Sequence, residues 1–134
     1  MSPELVVSIC TLILVVAFGC LNFWKTSNVK VAVEQCEIFK PILGYEGIYA
    51  ISNWGRVVSL KTGCEVKSHP NKSRGYYQVM LWKNGTAKFY YVQRLVALAF
   101  IENPKNWRYV KHFDMDKSNN RADNLYWAPK MHYN

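Results

Sequence analysis

The dipeptide Asn84-Gly85 sits between two runs of β-forming residues, Tyr76 to Trp82 and Ala87 to Val92. A two-residue turn at this place needs positive φ at both central positions, which an Asn-Gly pair tolerates well. The spacing therefore predicts a β-hairpin. The segment after it, RLVALAFI from Arg94 to Ile101, reads as a short apolar helix stopped by Asn103-Pro104.

Upstream, Gly44 and Gly47 bracket one turn and Ser52-Asn53-Trp54-Gly55 forms a second. Between and after them lie two short strand candidates, Ile48 to Ile51 and Arg56 to Leu60, giving a small β-meander. Lys61 to Arg74 is polar and reads as a loop. Downstream, Tyr109 to Phe113 is a strand candidate that includes His112, Asp114 to Asp123 a polar loop, and Asn124 to Trp127 the return strand. Pro129 is placed to open a helix at its first position.

The N-terminal segment differs in kind. Leu5 to Trp24 holds no charged residue. At about 1.5 Å per residue, a helix of roughly twenty residues reaches about 30 Å, the thickness of a bilayer's hydrocarbon core. Phe23 and Trp24 close the run and Lys25 and Lys30 follow it, while no Lys or Arg precedes it, which argues against a signal peptide. The expectation is a transmembrane anchor over 1–25 with residues 5–24 in the membrane, a linker over 26–37, and a single-pass protein whose soluble domain is cytoplasmic.

From Cys36 to Asn134 there are fifteen Lys and Arg against seven Asp and Glu. Such a surface attracts polyanions, nucleic acid or anionic lipid, and no small-molecule substrate is expected. Arg56, Lys72, Arg74, Lys83 and Lys88 interleave with Tyr76, Tyr77, Trp82 and Tyr90. Basic and aromatic side chains on one sheet suit phosphate and groove contact with double-stranded DNA, and Arg94 and Lys111 extend the set. The competing reading is a hairpin with one aromatic core face and one solvated basic face. The four Cys, at 10, 20, 36 and 64, have no CxxC spacing and read as free thiols in a reducing compartment.

Two stretches together resemble a known family. GYEGIYAISNWGRVVSL (Gly44 to Leu60) is similar to a modular DNA-binding motif near the N-terminus of phage-type HNH homing endonucleases. RLVALAFIENP (Arg94 to Pro104) followed by VKHFDMDKSNNRADNLYW (Val110 to Trp127) is similar to their HNH nuclease region. The resemblance implies an α+β fold: the membrane helix, a β-meander and hairpin module over 38–92, and a ββα-metal motif over 93–134 with a truncated final helix.

It also implies chemistry. His112 becomes the general base on a water that attacks a phosphodiester, Asn124 braces the loop, and one divalent cation, Mg²⁺ or Mn²⁺, stabilises the leaving oxygen. The family's usual acidic or amide metal ligand before the His is Lys111 here, its turn glycine is Met115, its helical ligand falls on Tyr133, and the His before its helix is Gln93. Asp114, Asp116 and Asn134 are the substitute metal ligands. The resemblance thus implies a metal-dependent, membrane-tethered endonuclease, with a catalytically degenerate DNA-binding module as the alternative.

Overall fold

The computed structural model describes residues 36–130. Among the described residues, three antiparallel sheets pack against one α-helix. The first has the order β1 (Phe39–Pro41), β2 (Tyr49–Ser52), β3 (Val57–Ser59), β4 (Glu65–Val66). The second is β5 (His69–Pro70), β6 (Tyr77–Lys83), β7 (Thr86–Tyr91), and the third pairs β8 (Tyr109–His112) with β9 (Leu125–Ala128). Helix α1 spans Val92–Phe100.

Each sheet turns one face to the helix because its apolar residues recur every second position. Along β6, Val79 and Leu81 are fully buried while Met80 and Trp82 stay exposed. In β2 and β3 the buried pair is Ile51 opposite Val57, and in β8 and β9 it is Val110 opposite Trp127. Val92, Leu95, Val96 and Ala97 of α1 close the core against all three sheets. Each fully buried Val or Leu side chain contributes about 1.5–3 kcal/mol relative to an exposed one. The Trp127 indole adds a hydrogen bond of 3.1 Å to the Ile101 carbonyl, tying β9 to the end of the helix.

The hairpin forms as the sequence predicts. Lys83 pairs with Thr86, and Asn84 and Gly85 take φ of 50° and 74°. The helix starts two residues before the predicted Arg94, because the chain leaves β7 at Tyr91 straight into it without a side-chain cap. It ends as expected before Asn103, whose side chain both donates to the Trp107 carbonyl and accepts from the Trp107 amide, each at 2.8 Å.

The segment predicted as a plain loop, Lys61 to Arg74, carries β4 and β5. Both are two-residue edge additions held by backbone bonds, such as Ser59 N to Cys64 O at 2.9 Å, and need no apolar alternation. Pattern-reading is blind to strands of that kind.

The expectation of a single-pass membrane protein with a cytoplasmic domain is corrected. Among the described residues no helix is long and apolar enough to cross a membrane; α1 has 9 residues and rises only about 14 Å. Residues 5–24, which suggested the anchor, lie outside the described residues; of the predicted final helix only Pro129 and Lys130 are described, and they form a bend.

Met115, at the family's glycine position, has φ of 62° and is 82% exposed. A side chain in the left-handed region costs about 1–2 kcal/mol, of which glycine's extra unfolded-state entropy returns about 0.5–1. Met115→Gly is therefore expected to stabilise the protein by about 0.5–1 kcal/mol in urea unfolding. A lower urea midpoint for the variant would show that Met115 packs in a way its exposure conceals.

Candidate active site

His112 ends β8, where it pairs with Leu125 and shares the core-facing register with Val110. That register buries the ring to 8% exposure. A buried imidazole needs a partner for its N–H. Nε2 lies 2.8 Å from the Asn120 side-chain oxygen. A carboxamide oxygen only accepts, so Nε2 carries the proton and Nδ1 keeps the lone pair. The Tyr76 ring stacks on the imidazole at 6.1 Å with 17° between planes, and Lys117 Nζ lies 4.6 Å from the centre of the Tyr76 ring.

The loop after His112 is organised by Asp114. Its Oδ1 accepts from the Asn124 side chain and the Asp116 amide, both at 2.9 Å, and its Oδ2 accepts from the Asn119 side chain at 2.8 Å. Asn124, buried in the short 3₁₀ turn Ala122–Asn124, also donates to the Asn119 carbonyl at 2.8 Å, while its own side-chain oxygen accepts from the Asp114 amide at 3.2 Å. Asp116 makes a smaller copy, accepting from Ser118 N at 2.9 Å and Ser118 Oγ at 2.6 Å.

Hydrogen bonds from Asn119, then Asn124 and the Asp116 amide, hold the Asp114 carboxyl below the usual carboxylate range. Ser118 does the same for Asp116. Both are therefore anionic at neutral pH, on the same loop as His112.

The predicted cation ligands are arranged as follows. Lys111 is an ammonium and repels a cation. Both oxygens of Asp114 are committed to the loop. Among the described residues no three His, Cys, Asp or Glu side chains converge as a metal set, and Asn134 lies outside them. Asp114 and Asp116 are the two predicted ligands that lie within the described residues, and both of the printed bonds that Asp116 accepts fall on Oδ1.

The predicted DNA contacts fall in three places. Lys72 and Arg74 sit on the exposed turn before Tyr76, and the Arg74 carbonyl accepts from Lys117 Nζ at 2.8 Å, which brings that turn to the His112 loop. Lys111 is half-buried on β8, opposite Tyr126 and on the other face from His112. The remaining four make contacts elsewhere. Arg56 pairs with Glu65 at 3.6 Å, Lys83 donates to the Gly44 carbonyl, Arg94 donates to the Arg108 carbonyl at 2.7 Å, and Lys88 stands exposed opposite Leu81.

Sequence reasoning gave Asn120 no part in the site and placed Tyr76 only among the aromatic residues of the DNA-contacting sheet. Their places follow from tertiary packing, since Tyr76 is in the other motif. The one usable signal was the doubled Asn119-Asn120, in which the first serves Asp114 and the second serves His112.

Residues 37–82 match the NUMOD4 motif. Over 90 residues the chain is 43% identical to the DNA endonuclease I-HmuI of Bacillus phage SP01, covering 67% of this chain and 51% of the relative. It is also 43% identical over 84 residues to the uncharacterized HNH endonuclease L245 of Acanthamoeba polyphaga mimivirus, covering 63% and 25%. A solved structure of the HNH homing endonuclease I-HmuI, described as showing DNA binding and cleavage, superimposes with a TM-score of 0.63 at 42% identity, over 68% of this chain and 52% of that one. The chain spans about half the length of the first relative and a quarter of the second.

The lowered Asp114 value has a consequence for stability. A carboxyl whose folded value is depressed adds stability above its ordinary range, and that stability disappears as pH falls through the lowered value. The amide signals of residues 114–124 are expected to lose protection from exchange on acidification below the usual carboxylate range. Asp114→Asn should weaken the loop at neutral pH and flatten the acid dependence; an unchanged acid profile would contradict the assignment.

Proposed function

From this kinship with the HNH homing endonucleases, we propose that the folded part is a DNA endonuclease unit that hydrolyses a phosphodiester with His112 as general base. The observation that carries the reading is the buried imidazole at the end of β8, whose Nε2 lies 2.8 Å from the Asn120 side-chain oxygen, the pairing that in a neutral ring places the proton on Nε2. Nδ1 then holds the lone pair that can take the proton of an attacking water. Asn124 and Asp114 fix the loop that follows, so the base sits at a defined strand end.

Duplex DNA is the proposed substrate, and the relatives' names favour cleavage over a decayed binding module. Lys72 and Arg74, brought beside the His112 loop by the Lys117 bond, are the cations best placed for the phosphates flanking the scissile bond. Arg56, Lys83, Lys88, Arg94 and Lys111 extend the basic surface. Most of this contact is to phosphate, so it positions the duplex and carries little sequence information.

The test is nicking of supercoiled plasmid by the full chain in Mg²⁺ or Mn²⁺, with His112→Ala beside it. Cleavage by the wild type and a loss of about 10²- to 10⁴-fold in the variant are expected. Failure to cut with either cation, or an undiminished rate in His112→Ala, would overturn the reading; DNA retardation without cutting would favour the decayed module. Lys72→Ala with Arg74→Ala should weaken binding evenly across sequences and shallow its salt dependence.

A further inference from the structure

The two motifs are separate in sequence, yet the N-terminal one meets the His112 ring and the loop after it at four points. The turn after β2 places Gly55 against Asn120, so that a Cβ on Gly55 would stand 3.0 Å from both the Asn120 Cβ and its backbone oxygen. Gly55 also has φ of 86°. One and two residues along from this contact the chains are tied again. The Ala122 amide donates to the Asn53 carbonyl at 2.8 Å, and the Arg121 guanidinium lies 5.1 Å from the centre of the Trp54 ring. The fourth point is Tyr76, stacked on His112 itself. Asn53, Trp54, Gly55 and Tyr76 all belong to the 37–82 segment.

We propose that the Asn53–Gly55 turn of the N-terminal motif is a positioning element for the nuclease base: it seats Asn120, and Asn120 fixes the proton of His112 on Nε2. The inference rests on the reading of His112 as general base, and it gives the N-terminal motif a role besides DNA contact. Gly55 is there because no side chain fits between the turn and Asn120. Tyr76 limits ring rotation from the other side. Asn120, Gly55, Trp54 and Tyr76 are positioning residues, and none needs to touch DNA.

The physical logic is that a base must present its lone pair, not its N–H, to the water it deprotonates. A free imidazole divides its proton between the two nitrogens. Asn120 removes that ambiguity only while its oxygen is held 2.8 Å from Nε2. Moving the Asn120 backbone by even part of an ångström lengthens that bond, and misplacement on the order of 1 Å can cost about 10²-fold in rate.

The experiment is ¹⁵N NMR of the His112 ring in the full chain, at a pH where the imidazole is neutral, combined with single-turnover nicking. Wild type should show the Nε2–H tautomer alone. Asn120→Ala should show a mixture of tautomers and a kcat lower by about 10- to 100-fold, with KM for the duplex unchanged. Asn120→Asp, which keeps an acceptor in the same place, should retain the Nε2–H form. Gly55→Ala should shift the ring signals in the direction of Asn120→Ala. Trp54→Leu, which loosens Arg121 without backbone strain, should shift them the same way by less, and it decides the matter where Gly55→Ala fails to fold. A wild-type tautomer pattern in Asn120→Ala, or in folded Gly55→Ala together with Trp54→Leu, would overturn the proposal. A wild-type protein that cuts no DNA would refute the nuclease function alone, because the ring signals are read without any cleavage.

Discussion

An imidazole taken out of water must find something for its N–H, and here the partner is a single side-chain oxygen, that of Asn120. Burying such a donor without a partner costs about 1–3 kcal/mol, so the bond constrains the fold as well as the chemistry. It fixes where the polar loop after β8 must return, because Asn120 lies eight residues after His112. The same bond decides which nitrogen is left with a lone pair. Structure and the proposed reactivity therefore hang on one contact.

The loop that delivers Asn120 has no apolar core of its own, and its residues from Phe113 to Ser118 are exposed. Its shape comes from a carboxylate surrounded by donors. Asp114 accepts three hydrogen bonds from within the loop and its return turn, and Asn124 spends its amide on both Asp114 and the Asn119 carbonyl. Carboxylates that ligate metals are themselves commonly hydrogen-bonded, so these bonds set the direction in which Asp114 presents its remaining lone pairs. Lys111 stands on the opposite face of β8 from His112.

Much of the scaffold was legible in the chain. The positive-φ demand at Asn84-Gly85 and the alternation of Val79 and Leu81 with Met80 and Trp82 are local properties, and the structure shows both. The loop's polar character and its closing strand were equally readable. The strands β4 and β5 were not, because two-residue edge strands are held by backbone groups that every sequence has. Nor were the contacts of Gly55 and Tyr76, since side chains from another motif meet the loop only after folding. The apolar run at 5–24, which prompted the membrane expectation, lies outside the described residues, among which no helix is long and apolar enough to cross a membrane.

The two motifs thus act as one site, with the turn at Gly55 as the seat of Asn120 and Asn120 as the guide of His112. A double-mutant cycle on single-turnover nicking addresses this most directly, using Gly55→Ala, Asn120→Ala and the pair. Residues that act through one another give non-additive effects, whereas independent ones add within a few tenths of a kcal/mol. The account predicts that the double variant cuts within about twofold of Asn120→Ala alone. Multiplication of the two single losses would show that the turn and the amide act separately, and would contradict it.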